Sequence, residues 1–169
     1  MKTTSILTVM LNCQQQQIHG LQSILTDLSI ILDPDKDKAI LVSSGDVRGK
    51  VDMLECCQLL ANAGYKLYAT EGTAKFLEQN GVKAAPVCWP DEEGENVLDL
   101  IANHSIDLVI NIPKNHSKRE LTNGYRVRRS AIDHNIPLLT NARLASAYIR
   151  AFINKPVEDI KIAAWNDYK

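Results

Sequence analysis

From residue 39 onward, short apolar segments alternate with segments of helical periodicity, and this alternation constrains the fold more than any other feature. The apolar segments are predicted strands over 39–42, 67–69, 85–87, 106–110 and 137–139. The first, AILV, is a continuous apolar run, which is typical of a strand covered by helices on both faces. The sequence therefore predicts an α/β fold with a parallel sheet.

Helical segments separate these strands, and each carries an apolar stripe. The first follows a predicted loop over 43–46, and others are predicted over 74–80, over 96–103 and in the second half of 120–134. The apolar positions that define the first helix, the helix of 120–134 and the closing helix are Val51, Leu54, Cys57 and Ala61, then Val127, Ala131 and Ile132, and finally Leu144, Tyr148 and Ala151.

A charged linker over 33–38 divides the chain, because its proline interrupts any helix. Before it, apolar residues at alternating spacings of three and four predict an amphipathic helix that seeks a partner surface, on its own domain or on another chain. These residues are Ile18, Leu21, Leu25, Leu28 and Leu32. The predicted organisation is an N-terminal extension over 1–37, an α/β domain over 38–155 and a C-terminal tail over 156–169.

Composition argues against several classes of function. A net charge of −1 gives no electrostatic attraction for nucleic acid or an acidic membrane, and 5% aromatic residues argue against a base-stacking surface. The four cysteines and four histidines lack the spacing of a metal site, and no apolar run reaches transmembrane length. We therefore expect a cytoplasmic domain with reduced thiols and without a metal, cofactor, nucleic-acid partner or membrane association.

The segment Tyr65–Thr73, YKLYATEGT, carries the most chemical information. Its strand runs directly into Thr70, Gly72 and Thr73, after which a helix begins. Hydroxyl donors, exposed backbone N–H groups and the positive end of a helix together suit a phosphate or carboxylate. The alternative interpretation is that Thr73 only caps the helix and Gly72 only turns the chain.

Five segments in fixed order resemble the methylglyoxal-synthase-like domain, and in particular the C-terminal regulatory domain of the carbamoyl phosphate synthetase large subunit. They are AILVSSGD (39–46), GYKLYATEGTAKFLEQNGV (64–82), APVCWPDEEGEN (85–96), SIDLVINIPKN (105–115) and NGYRVRRSAIDHNIPLLTN (123–141). The resemblance implies a Rossmann-like three-layer sandwich with a five-stranded parallel sheet. It also implies an effector pocket over the carboxyl ends of the strands, as the strand-end rule independently predicts.

The resemblance also implies site residues. The family's anion-binding threonines match Thr70 and Thr73, flanking Gly72, and Lys50, Trp89 and Asn111 match further effector positions. Two positions depart from the members that bind acetylglutamate, which carry asparagines where this chain has Lys114 and Gly124. Lys114 favours a more anionic ligand, such as a nucleoside monophosphate. Ser43 and Ser44 are interpreted as loop donors that face the same pocket.

Three functions follow as hypotheses. The first is a non-catalytic regulatory domain that binds a small anionic effector, acts with a carbamoyl phosphate synthetase catalytic chain in pyrimidine or arginine synthesis, and could form a homo-oligomer. The second is a lyase that eliminates phosphate from dihydroxyacetone phosphate, although Gly94 occupies the position of its base and only a one-residue shift would bring Glu93 or Glu95 there. The third is an interaction module that uses the N-terminal helix.

The basic segment over 126–129 admits two interpretations. Arg126 and Arg129 would share one helix face, which could meet a partner or a ligand phosphate, or could remain solvated.

Overall fold

In the computed structural model, the described residues are 38–113 and 117–154, and they fall within one compact unit. The predicted N-terminal helix and the C-terminal tail lie outside these ranges. The elements are β1 Ala39–Ser44, α1 Val47–Asn62, β2 Lys66–Thr70, α2 Glu71–Gln79, β3 Ala85–Val87, α3 Val97–Ala102, β4 Leu108–Ile112, α4 Lys118–Asp133, β5 Leu138–Leu139 and α5 Ala142–Asn154.

The five strands form one parallel sheet in the order β3-β2-β1-β4-β5, which confirms the predicted fold class. Side chains alternate between the two faces of a sheet. Leu41, Tyr68 and Val109 share one face, where they join an apolar cluster with side chains of α3 and α4. On the other side of the fold, α1 packs against α5 and α2. Helices thus cover the sheet in two layers.

The order of the strands reverses beside β1. The chain leaves β1 for β2 and β3 on one side, and it then returns to pair β4 with the opposite edge of β1. Such a switch point opens a crevice at the carboxyl ends of the two central strands, because the following helices leave in opposite directions. In this chain those strand ends are Ser43–Ser44 and Asn111–Ile112, which are paired in register.

Strand β1 is longer than the sequence predicts. Ser43 and Ser44 were expected in a loop, but they form the last two residues of the strand because their partners on β4 extend equally far. All six residues of β1 are buried. The predicted strand at 106–110 is likewise displaced, and β4 covers Leu108–Ile112.

The buried face of α1 differs from the predicted stripe. Its buried residues are Gly49, Met53, Cys56, Cys57 and Leu60. Of the predicted positions only Cys57 is among them, and Val51 is 56% exposed. The helix begins at Val47 behind the cap Asp46, whose side chain accepts a hydrogen bond from Gly49 N. A Cβ on Gly49 would lie 2.6 Å from Ser44 Oγ, so the helix turns this small residue toward the sheet. Because Gly49 faces Ser44 closely, the buried face of α1 is rotated away from the predicted apolar stripe.

Cys57 fits its predicted role as a small core residue. Burial, aided by the neighbouring Cys56, raises the pKa of the Cys57 thiol to about 12. The thiol therefore stays protonated at neutral pH and behaves as an apolar group.

The stripes of the last two helices were predicted in part. Val127 and Ala131 of α4 are buried, but Ile132 is 60% exposed. In α5 the buried residues include Ala145 and Ile149. Of the predicted positions, Leu144 and Ala151 are exposed instead.

One charged side chain ties the starts of the two central strands together. The carboxylate of Asp107 accepts hydrogen bonds from Lys38 Nζ at 3.0 Å and from Ala39 N at 2.8 Å. Both bonds join residues nearly 70 positions apart, at the edge of the sheet opposite the crevice.

We predict that Asp107→Ala lowers the free energy of unfolding by about 1–3 kcal/mol, since it leaves the buried N–H of Ala39 without its acceptor. Urea denaturation of the variant and the parent measures the difference. Asp133→Ala is the matched control, because Asp133 pairs with Arg129 on the exposed surface and should matter little. Equal losses in both variants would contradict the structural role of Asp107.

Candidate functional site

A cleft opens at the switch point between β1 and β4. It contains about 330 Å³ of empty space, including its mouth. Strand ends form its floor, while α4 and the loop after β3 form its walls. The lining residues are Ser43, Gly45, Trp89, Asn111, Ile112, Pro113, Leu121, Gly124 and Arg128.

The floor of the cleft is polar but buried. Ser43 and Asn111 line it and are paired in register on adjacent strands. Thr70 does not line the cleft itself, but it ends the next strand along and lies beside Ser43. Each is more than nine-tenths buried. Thr70 Oγ1 has two acceptors for one hydrogen, Ser43 Oγ and Thr73 Oγ1, each at the long distance of 3.4 Å. Hydroxyl bonds are normally about 2.7–2.8 Å, so this donor is poorly satisfied within the protein.

Thr73 has a structural role beside the cleft. Its Oγ1 accepts a hydrogen bond from Ser44 N and donates one to Ser44 O, both at 3.2 Å, so it joins the start of α2 to the end of β1. Helix α2 begins at Glu71 with Thr70 at the capping position. The interpretation of Thr73 as the helix cap is therefore wrong, and Gly72 lies inside the helix rather than in a turn.

Ser44 faces away from the cleft. Successive residues of a strand alternate sides, so Ser44 lies beneath Gly49 of α1 while Ser43 faces α4. Within the described part of the chain, Ser44 Oγ is buried without a hydrogen-bond partner. The structure thus separates the two serines that the sequence placed in one pocket.

Lys50 and Gly72 form a second contact near the threonines. Lys50 Nζ donates a hydrogen bond to Gly72 O at 2.8 Å, which connects α1 to the first turn of α2. Neither residue is among those that line the cleft. Lys114, the remaining predicted effector residue, lies outside the described residues.

Arg128 is a cleft residue that sequence reasoning missed. Its Nη1 donates a 2.6 Å hydrogen bond to Asn111 Oδ1, which places a guanidinium at the floor. Gly124, one helical turn earlier, provides the room, because a Cβ there would lie 2.9 Å from Arg128 Nη1. The sequence signal for it was its place in the basic segment over 126–129, which does not distinguish Arg128 from its neighbours.

The two arginines predicted to share a face are engaged elsewhere. Arg126 Nη1 donates to Pro90 O at 3.2 Å, and Arg129 pairs with Asp133 within α4.

Trp89 forms the wall opposite α4. It is partly buried and packs on the apolar cluster beneath α3 and α4. The loop that carries it is acidic, and Asp91 accepts hydrogen bonds from Arg119 and Asn123. The bond from Arg119 is the main reason that the pKa of Asp91 lies below its usual value.

The carboxylates considered for lyase chemistry lie elsewhere. Glu93 and Glu95 are exposed, and Gly94 between them has a left-handed φ of 126°. Their backbone carbonyls accept bonds from Cys88, and neither side chain lines the cleft within the described ranges. The same ranges contain no group of three metal-ligating side chains, and none of their helices is long and apolar enough to cross a bilayer.

A solved structure shares this fold. The crystal structure of methylglyoxal synthase from Elizabethkingia anophelis NUHP1 matches with a TM-score of 0.54 and 20% identity, over 80% of this chain and 91% of that chain.

Curated relatives match part of the chain. Carbamoyl-phosphate synthase (ammonia), mitochondrial, from Homo sapiens is 45% identical over 103 residues, which are 58% of this chain and 7% of that protein. Multifunctional protein CAD from Squalus acanthias is 36% identical over 129 residues, 68% of this chain and 6% of that protein. The chain therefore spans less than a tenth of the length of these two relatives.

The model of the family described as MGS-like domain matches residues 52–140, more than half of the chain. That range contains β2 to β5 and most of the residues that line the cleft. By this match the chain belongs to the family of MGS-like domains.

Proposed function

We propose that this domain binds a small anionic effector in the cleft between β1 and β4, and that binding regulates carbamoyl phosphate synthesis. The observation that carries the proposal is the polar floor. Ser43 and Asn111 are buried there, and the hydroxyl of Thr70, which lies beside Ser43, has only long bonds to protein acceptors. Because buried polar groups are normally well bonded, such a floor favours a ligand that completes the bonding.

The charge of the floor favours an anion. Arg128 brings a permanent cation to Asn111, and the N-terminus of α2 begins beside Thr70. A guanidinium binds phosphate or carboxylate through two parallel hydrogen bonds. We therefore favour a nucleoside monophosphate or an acetylglutamate-like dicarboxylate. Its anionic group would contact the floor, and the remainder would lie against Trp89, with Lys114 as a further candidate contact.

The relatives support a regulatory role. The matching proteins include carbamoyl-phosphate synthases and a multifunctional protein CAD, of which this domain corresponds to a small part. We propose that the domain acts on the catalytic part of such a synthase, in the cytoplasm, in pyrimidine or arginine synthesis. Binding can regulate only if the effector prefers one conformation of the assembly over another.

A ligand screen tests the binding function. We expect uridine or inosine monophosphate, or acetylglutamate, to raise the melting temperature more than inorganic phosphate, which would contact the floor alone, and more than ornithine. At about 100 times its dissociation constant, a ligand stabilises the native state by about 2.7 kcal/mol. Absence of a shift with every compound would contradict the proposal. Release of phosphate from dihydroxyacetone phosphate would instead support the lyase.

Thr70→Val tests the poorly bonded hydroxyl beside the floor. Valine keeps the shape of threonine and suits a strand, but it removes the hydroxyl donor. We expect affinity for the effector that shifts the parent to fall about 5- to 100-fold, the loss of one charge-assisted hydrogen bond. Isothermal titration calorimetry measures the change. Unchanged affinity would rule out Thr70 as a ligand contact, and Thr73 is a poorer test because it also holds Ser44.

Gly124→Ala tests the contribution of Arg128. The new Cβ would collide with the mobile end of the arginine rather than with backbone, so the side chain should swing away from Asn111. Alanine also favours a helix over glycine by about 1 kcal/mol. We therefore expect the melting temperature to be maintained while effector affinity falls.

The matched background for this variant is Arg128→Gln. If displacement of the guanidinium is the mechanism, Gly124→Ala should have little further effect on affinity once Arg128 is replaced. Equal effects of Gly124→Ala in the two backgrounds would contradict it.

A further inference from the structure

The Trp89 loop, residues 89–92, has little support from the sheet. It follows β3, an edge strand of only three residues. After the loop, one isolated bridge between Cys88 and Asn96 returns the chain to the sheet. The position of the loop relative to α4 must therefore depend on side-chain contacts.

Arg119 of α4 binds two acidic side chains of this loop. Its Nε and Nη2 donate to the two carboxylate oxygens of Asp91 at 2.6 and 3.1 Å. Nη2 also donates to Glu92 Oε1 at 2.7 Å, while Glu92 Oε2 accepts a bond from Trp89 N at 2.9 Å. The guanidinium thus bridges two adjacent carboxylates and offsets part of their mutual repulsion, and one of these carboxylates holds the backbone of Trp89.

Two further residues of α4 reach the loop from the same side of the helix. Asn123 Nδ2 donates to Asp91 Oδ1 at 2.6 Å, and Arg126 Nη1 donates to Pro90 O. Positions 119, 123 and 126 follow the i, i+4, i+7 spacing of one helical face. Asn123 is buried, whereas the Arg119 side chain is 58% exposed.

Helix α4 therefore contributes to both walls of the cleft. Leu121, Gly124 and Arg128 form one wall directly, and Arg119 holds the loop whose Trp89 forms the other. The separation of the walls depends on these contacts. Exposed ion pairs are weak and screened by salt, so the bonds that Arg119 makes to the loop can break without unfolding the domain.

We infer that Arg119 is a positioning residue that holds Trp89 against the cleft and so selects the part of the ligand beyond its anionic group. The part of this inference that concerns ligands rests on the proposed function. A ligand that contacts Trp89 binds only the closed loop, so its apparent affinity falls with the closed fraction. Inorganic phosphate, which is small enough to contact the floor alone, does not depend on the loop.

The first test needs no ligand. In a Trp165→Phe background Trp89 is the only tryptophan, and acrylamide quenching of its fluorescence reports its exposure. We expect Arg119→Gln to increase quenching. Arg129→Gln is the matched control. Arg129 is likewise an exposed arginine of α4 paired with an aspartate, but its partner is Asp133 of the same helix rather than a residue of the loop. Equal quenching in the parent and Arg119→Gln would overturn the inference, whatever the ligand screen shows.

Salt and a conservative variant separate positioning from a general structural defect. High salt should increase quenching in the parent but have little further effect in Arg119→Gln, since the ion pair is already absent. Arg119→Lys keeps the charge without the fork, so intermediate quenching is expected. A melting temperature that falls in Arg119→Gln without any change in quenching would contradict the inference.

The ligand test compares two probes. With the nucleotide or acetylglutamate that shifts the parent, Arg119→Gln should weaken binding about three- to tenfold, because the loop is closed less often. Binding of inorganic phosphate should be unchanged. Equal weakening of both probes would assign Arg119 to the anion site and overturn the positioning role. Failure of every probe with the parent would reject the proposed function, while the quenching result would still decide the role of Arg119.

Discussion

The pairing of β1 with β4 is the constraint on which the rest of the structure depends. These strands are neighbours in the sheet although β2 and β3 lie between them in sequence. Their pairing brings Ser43 beside Asn111 at the carboxyl ends of the strands, and Asp107 holds Ala39 at the amino ends. The reversal of strand order there separates the helices that follow, so one contact creates both the centre of the core and the opening of the cleft.

The polar floor opposes the stability of that core. Strand β1 buries Ile40, Leu41 and Val42 in the core. Yet β1, β2 and β4 carry buried serine, threonine and asparagine side chains at their carboxyl ends. Apolar burial contributes about 1.5–3 kcal/mol for each large side chain, whereas a poorly bonded hydroxyl costs about 1–3 kcal/mol. A few such groups are tolerable only at the end of a strong apolar strand. These buried polar side chains lie together at the switch point, whereas polar side chains at strand ends are ordinarily exposed to water.

Local patterns predicted the sheet well and the helix faces less well. The apolar run of β1 and the glycine before β2 are local signals, so they identify these strands without knowledge of the tertiary contacts. The face of α1, in contrast, depends on how closely Gly49 approaches Ser44, and the buried face of α5 differs from the predicted one. The role of Arg128 was invisible for the same reason, because its contact with Asn111 joins elements whose proximity exists only in the folded chain. Ser43 and Ser44 are adjacent in sequence, yet strand pairing sends them to opposite faces.

The floor and the outer wall of the cleft are held by different kinds of contact. Its floor is set by main-chain register within the sheet, so Ser43 and Asn111 cannot move apart without breaking strand pairing. Its outer wall is held by side chains, and Arg119, the centre of that attachment, is largely exposed. If the proposed function holds, affinity for an anionic group resides in the floor, while discrimination among ligands that share this group depends on the wall that side chains hold. The Trp89 loop bonds to α4, the same helix that carries Arg128. Under the proposed function, a ligand that contacts both Trp89 and the floor would therefore act on this one helix from two sides.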